Sequence, residues 1–314
     1  MRVLVTGVAG FIGSNVADAL IARGDEVRGI DSFLDYYPRA VKERNLAGLK
    51  QAKGFEFHEQ DLVRADLDAL TAGCDAVLHL AAQAGVRASW GKDFRIYCDA
   101  NILATQRLLE ACAARRVRVV YSSSSSIYGD APDFPTRETT LPRPISPYGV
   151  SKLAGEHLCR LYTQSYGLPT ISLRYFTVYG PRQRPDMAFH RWLAATLSGE
   201  ELLVFDDGAQ TRDFTFVGDV VRANLMALEK GTPGAAYNIG GGSRVSVNHA
   251  LELIGELSGK PVRVRRGDKQ RGDVRDTHAA PDAAERELGW HPLTRLREGL
   301  AAELEWLRGE MAAR

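Results

Sequence analysis

The chain has 314 residues, 45% of them hydrophobic and 25% charged, the balance of a soluble globular protein long enough for one full domain and a smaller one. Forty basic against 39 acidic side chains leave a net charge of +1, which gives no global electrostatic case for nucleic acid or an anionic membrane. Cys74, Cys98, Cys112 and Cys159 form no C-x-x-C pair, which argues against zinc or a disulfide framework and for reduced thiols.

Arg2 to Thr6 predicts a short buried strand that leaves no room before it for a cleavable signal. No apolar run approaches the ~20 residues that span a bilayer, so a cytoplasmic protein is expected. From Gly10 a helix carries Ile12, Val16, Ala19 and Leu20 inward and stops at Gly24, and Glu26 to Asp31 is a second strand. Between the first strand and this helix, Gly7, Gly10 and Gly13 let the backbone approach a pyrophosphate where a helix N-terminus offers unpaired N–H groups. A tight turn without ligand is the alternative. Asp31 ends the second strand, placed to accept hydrogen bonds from an adenosine ribose and to repel a 2′-phosphate, which favours NAD over NADP.

Apolar runs recur at Phe55 to Phe57, Ala76 to Leu80, Val117 to Tyr121 and Thr170 to Tyr175, with helical patterns at Asn101 to Arg115 and Tyr148 to Tyr166. Strand alternating with helix implies an α/β fold with a doubly wound parallel sheet. From Gly180 the rhythm breaks: a strand is expected at Leu202 to Phe205, with helices at Asp219 to Glu229 and Asn248 to Ser258. A last helix carries a core stripe of Leu296, Leu300, Leu304 and Leu307. Residues 1–180 are therefore expected to form a dinucleotide-binding domain to which 213–235 return, and 181–314 a smaller α/β substrate domain.

The chemistry centres on Ser122 to Ser126 and on Tyr148-Gly-Val-Ser-Lys152. Tyrosine and lysine at i and i+4 share a helix face, so the ammonium is expected to favour the ionised phenol and make Tyr148 a proton acceptor. A serine hydroxyl from the preceding strand end completes a proton relay.

The G-x-x-G-x-x-G spacing, His79-Leu80-Ala81-Ala82, Asn101, the serine run, Tyr148 with Lys152, Leu173-Arg174-Tyr175-Phe176, Arg212-Asp213-Phe214 and Leu288-Gly289-Trp290 occur in the order seen in extended short-chain dehydrogenases. The chain resembles that family over essentially its whole length. The resemblance implies a Rossmann sheet with NAD held by Gly7, Gly10, Phe11, Ile12, Gly13, Asp31 and Ser32, Asp61 and Leu62 flanking the adenine, and Leu80, Ala81, Ala82, Asn101 and Tyr175 completing the site. It also makes Tyr148 the base and Lys152 its stabiliser and a ligand of the nicotinamide ribose, with Ser124 bridging substrate and tyrosine.

Departures from related enzymes narrow the implied substrate. Ser125 and Ser126 stand where the 4,6-dehydratases carry Asp-Glu, Ser126 where UDP-glucuronate decarboxylases usually carry glutamate, and Thr177 where galactose-type epimerases often carry asparagine. With Ser124, these hydroxyls could surround a carboxylate with neutral donors. The segment from Gly180 to Met187, including Arg184, and Asp35-Tyr36-Tyr37 look similar to UDP-glucuronate 4-epimerases. The expected reaction is interconversion of UDP-glucuronate and UDP-galacturonate through a 4-keto sugar. UDP-glucose epimerisation, decarboxylation and a non-catalytic NAD-binding regulator are the alternatives. Arg212 and Arg271, with Arg87 reaching the same region, are expected at the diphosphate, and Asp273 at the uridine ribose. Arg263, Arg265 and Arg266 read as a solvated strand face, and Ala280-Pro281-Asp282 departs from the usual Ala-Asp pair. No metal site is expected. The helices at Asn101 to Arg115 and Tyr148 to Tyr166 resemble those that make the family's homodimer.

Overall fold

In the computed structural model, which describes residues 1–268 and 270–312, the first half alternates strand and helix. It runs β1 (Arg2–Thr6), α1 (Phe11–Arg23), β2 (Glu26–Asp31), α2 (Arg39–Ala47), β3 (Phe55–Glu59), α3 (Leu67–Thr71), β4 (Ala76–His79), α4 (Phe94–Tyr97), α5 (Ala104–Ala113), β5 (Arg118–Ser124), α6 (Pro147–Tyr166) and β6 (Thr170–Tyr175). The rest comprises β7 (Thr177–Tyr179), α7 (Ala188–Ser198), β8 (Glu201–Phe205), β9 (Thr211–Phe216), α8 (Val217–Lys230), β10 (Ala236–Ile239), β11 (Arg244–Ser246), α9 (Val247–Ser258), β12 (Arg263–Gly267), α10 (Asp282–Leu288) and α11 (Leu296–Ala312).

Seven strands pair in the order β10-β6-β5-β4-β1-β2-β3, every pairing parallel, so the expected doubly wound sheet is present. Side-chain alternation splits its core in two. Val3 and Val5 face a cluster with Val16, Leu20, Val220 and Ala223 from α1 and α8, while Leu4, Val77 and Val119 face Leu108, Leu109 and Cys112 of α5. The winding reverses between β1 and β4, which opens a crevice at their carboxyl ends where ligands of such sheets bind.

Two local features place the chemistry. Ser146 caps α6, its hydroxyl accepting from the Gly149 N–H at 3.1 Å, and Pro147 pre-sets the first turn, so Tyr148 and Lys152 fall in the first two turns. The helix expected from Asn101 begins instead at Phe94 and passes through a π-turn at Cys98–Leu103, within which the Asn101 side chain clasps the backbone of Gln83.

Outside the large sheet, β11-β9-β7 and β12-β8 form two small sheets. Leu202, Val204, Phe214, Trp192, Leu193, Ile254, Leu300, Leu304 and Leu307 close a third apolar core there, so the terminal leucine stripe is core packing. All four cysteines are free. Among the described residues no helix is long and apolar enough to cross a membrane, and no cluster suited to a metal ion is found.

Glu303 lies fully buried in α11, accepting the Gly180 N–H at 2.8 Å, and burial pushes its carboxyl up to about 8. Folded chains therefore hold a proton that unfolded chains release above ~4.5, so this contribution to stability is complete below that pH and lost as pH rises through about 8. The melting temperature is expected to fall more steeply between pH 5 and pH 9 in the parent than in Glu303→Gln. Parallel curves would contradict the assignment.

Candidate active site

A cleft of about 420 Å³ opens at the carboxyl edge of the large sheet. Gly7, Gly10, Phe11, Ile12 and Gly13 form one wall, with Asp31 and Ser32 beside them, Asp61 and Leu62 beyond, and Leu80, Ala81 and Ala82 from the turn after β4. The glycines are required by contact. A Cβ on Gly7, whose φ is +69°, would lie 2.7 Å from the Ala81 nitrogen, and one on Gly13 would lie 2.1 Å from the Gly7 oxygen. No side chain caps α1, so its first N–H groups are free to meet a pyrophosphate. Asp31 is fixed by N–H donors from Phe33 at 2.8 Å and Ala9 at 3.1 Å, with lone pairs left for ribose hydroxyls. Burial raises its pKa against the pull of Lys42. This cradle fits NAD.

The opposite wall brings together Ser122 to Ser126, Tyr148, Lys152, Tyr175, Thr177, Arg184 and Met187. The Ser124 hydroxyl lies close enough to the Tyr148 phenol to pull its pKa down, and accepts from the Ser126 N–H at 3.2 Å. Ser123 donates to Glu156 at 2.7 Å, while Ser122 lies near Tyr175, whose hydroxyl donates to Asn224 at 2.9 Å.

The electrostatics differ from the sequence expectation in one respect. Tyr148 is raised above its ordinary value because desolvation outweighs the Ser124 hydrogen bond and the charge of Arg184. Lys152, only 2% exposed, is itself pushed down to about 8 by burial and lies 4.7 Å from the Tyr121 ring. The i, i+4 spacing thus brings the pair into one cleft, but this surrounding does not ionise the phenol. His79, behind the wall, is driven down to about 3 by burial and by Lys152. It stays neutral between Thr6 at 2.7 Å and Thr105 at 3.0 Å.

Other expected contacts fall elsewhere. Asn101 is 1% exposed and stands behind the cleft, bonded to Gln83 and, at 2.9 Å, to Ser151; it shapes the wall rather than lining it. Arg87, Arg212, Arg271 and Asp273 are not among the cleft's lining residues. Arg87 pairs with Asp273 and stacks 4.2 Å from the Phe205 ring, so the two meet each other rather than standing separately open to a ligand. Arg212 lies within electrostatic reach of both, bonded to the carbonyls of Thr211 and Arg275 at 2.9 and 2.8 Å, whereas Arg271 is exposed.

Lys42 escaped the sequence reading. It is 6% exposed, lines the cleft, donates to the Leu34 carbonyl at 2.8 Å and sits 4.8 Å from the Tyr37 ring. Its one signal is position: Lys42, Leu46 and Leu49 share the i, i+4, i+7 buried stripe.

A family model described as the NAD dependent epimerase/dehydratase family matches residues 3–240. An uncharacterized UDP-glucose epimerase, YtcB of Bacillus subtilis, is 44% identical over 98% of both chains. The UDP-glucuronate 4-epimerase of Thermodesulfobacterium geofontis is 37% identical over 96% of this chain and 95% of its own. The crystal structure of UDP-glucuronic acid 4-epimerase from Bacillus cereus in complex with UDP-glucuronic acid and NAD superposes with a TM-score of 0.96 at 42% identity, covering 99% of this chain and 100% of that one. With the glycine cradle, Asp31 and the serine–tyrosine–lysine wall in one cleft, the chain belongs to the NAD-dependent epimerase/dehydratase family, and NAD is its cofactor.

Proposed function

We propose that this chain catalyses the 4-epimerisation of UDP-glucuronate to UDP-galacturonate. The observation that carries the substrate is the wall itself: Ser124, Ser125, Ser126 and Thr177 line the cleft with Arg184, a cation close enough to act on Tyr148, and positions 125 and 126 hold no carboxylate. NAD, held by the glycine cradle and Asp31, supplies a reversible hydride acceptor for the sugar C4. Tyr148, through Ser124, takes the C4 hydroxyl proton and later returns it. Lys152, on the same cleft wall, offsets the charge of the phenolate that accepts this proton. The 4-keto uronate is a β-keto acid, which loses carbon dioxide when its carboxylate bond stands perpendicular to the ketone. Arg184 and the hydroxyls hold it out of that orientation.

In this reading residues 1–180, with 213–235 returning, carry NAD, and 181–314 carry the nucleotide sugar. Arg87, Arg212, Arg271 and Asp273 serve the UDP end once Arg87 and Asp273 separate. The chain works in the cytoplasm as a homodimer, a state supported by exposed Ile96, Leu103, Val150 and Leu161 along the outer faces of α4, α6 and the π-turn. UDP-glucose epimerisation is the second reading, favoured by the pairing of Arg184 with Asp186, which leaves neutral donors for an uncharged hexose. Incubation with UDP-glucuronate and, separately, UDP-glucose, with products identified by NMR, decides between them. UDP-galacturonate is the expected dominant product; faster conversion of UDP-glucose, or pentose formation, would overturn the proposal.

A further inference from the structure

The Arg184 side chain is 19% exposed and lines the cleft, and its fork is already filled. Nε and Nη2 donate to the two oxygens of Asp186, both at 2.9 Å, the bidentate geometry that a uronate carboxylate would itself offer. The backbone around this pair is pinned. Arg182 holds a left-handed φ of +70° and pairs with Asp18 at 2.6 Å, and Gln183 bonds the Val178 carbonyl at 3.1 Å and accepts the His190 N–H at 2.8 Å. Exchange at Arg184 is therefore a movement of side chains. Tyr36 lines the cleft and donates to Asp186 at 3.4 Å, with its ring 5.6 Å from the guanidinium, so Asp186 keeps a partner when Arg184 leaves.

We propose that Asp186 is a specificity-determining residue: an internal carboxylate that occupies Arg184 in the free enzyme and that only an anionic sugar can displace. The inference rests on the uronate reading above. A desolvated guanidinium without a partner is costly, so Asp186 stabilises the free state. A uronate restores an equivalent pair on exchange. A neutral hexose cannot, and it binds with the Arg184–Asp186 pair intact. Asp186 thus weakens uronate binding and leaves hexose binding unaltered, limiting how tightly the enzyme holds a sugar that must turn within the site.

The test is calorimetric titration of the NAD-loaded enzyme with UDP-glucuronate and with UDP-glucose, in a Tyr148→Phe background that prevents turnover. Asp186→Asn is expected to tighten UDP-glucuronate binding about threefold to tenfold and to leave UDP-glucose unchanged. Asp186→Glu, which restores the charge, is expected to return the affinity toward the parent value. Weaker or unchanged UDP-glucuronate binding in Asp186→Asn would overturn the inference and make Asp186 an orienting group for Arg184. If Tyr148→Phe with Asp186 intact binds no UDP-glucuronate while it binds UDP-glucose, the substrate reading itself fails, and this inference with it.

Discussion

Replacing Tyr148 with phenylalanine is expected to lower kcat by about a thousandfold or more while NAD and UDP-sugar remain bound. A hydride cannot leave C4 unless the hydroxyl proton leaves too, and a positioned base contributes typically 10²–10⁴-fold to such a step. Phenylalanine preserves the ring that meets Tyr97 edge-on at 6.3 Å and removes only the oxygen beside Ser124. Binding and catalysis should therefore separate. The pH dependence carries a sign as well. Desolvation raises the Tyr148 phenol, so at neutral pH it starts protonated, and kcat/KM of the parent should climb with pH as the phenolate forms. The residual rate of the variant should lack that rise. Steady-state kinetics across pH, with calorimetry for binding, checks both; unimpaired turnover in the variant would remove Tyr148 from the chemistry.

The contrast between what spacing told and what burial decided runs through the site. The doubly wound half was legible because parallel strands buried on both faces are continuous apolar runs, as in β1 and β4, and because glycine loop, Asp31 and Tyr148-x-x-x-Lys152 are local patterns. Of the small sheets, β8 and β12 were legible, as the run Leu202 to Phe205 and the arginine strand face, but β7, β9 and β11 were not, because β7 and β11 have three residues each and β9 buries Asp213 amid its apolar positions. Nor could spacing place Asn101 behind the wall, seat Lys42 inside the cleft, or pair Arg87 with Asp273 across 186 positions. The same holds for Tyr148. Its distance from Lys152 in sequence says which groups meet; only the surrounding dielectric says which way the phenol moves.

Glu156 is the second residue whose loss should be severe, and its effect is on the fold. It lies on α6 one turn beyond Lys152, 9% exposed, against Arg174 of β6 at 6%. Arg174 donates to it from Nε at 3.2 and 3.1 Å and from Nη2 at 2.5 Å, and Ser123 adds a hydrogen bond at 2.7 Å. The remaining Arg174 nitrogen reaches the Tyr128 hydroxyl at 2.6 Å and the Glu138 carbonyl at 3.0 Å, and Tyr128 continues to Asn238 at 2.7 Å. The Ser123 hydroxyl and two of the three Arg174 nitrogens end on this one carboxylate, the only negative charge bonded to the guanidinium among the described residues. Glu156→Ala leaves a guanidinium buried without its counter-charge, a loss of about 3–5 kcal/mol, or roughly 10 °C in melting temperature for a chain of this size. Glu156→Gln keeps acceptors but not charge and should lose less. If the penalty comes from the orphaned charge, the double variant Glu156→Leu with Arg174→Met should recover much of it, since an apolar pair of similar volume replaces a buried ion pair at little cost. A melting temperature within 2 °C of the parent in Glu156→Ala would show that water reaches Arg174 and that the pair does not stabilise the catalytic helix against the sheet.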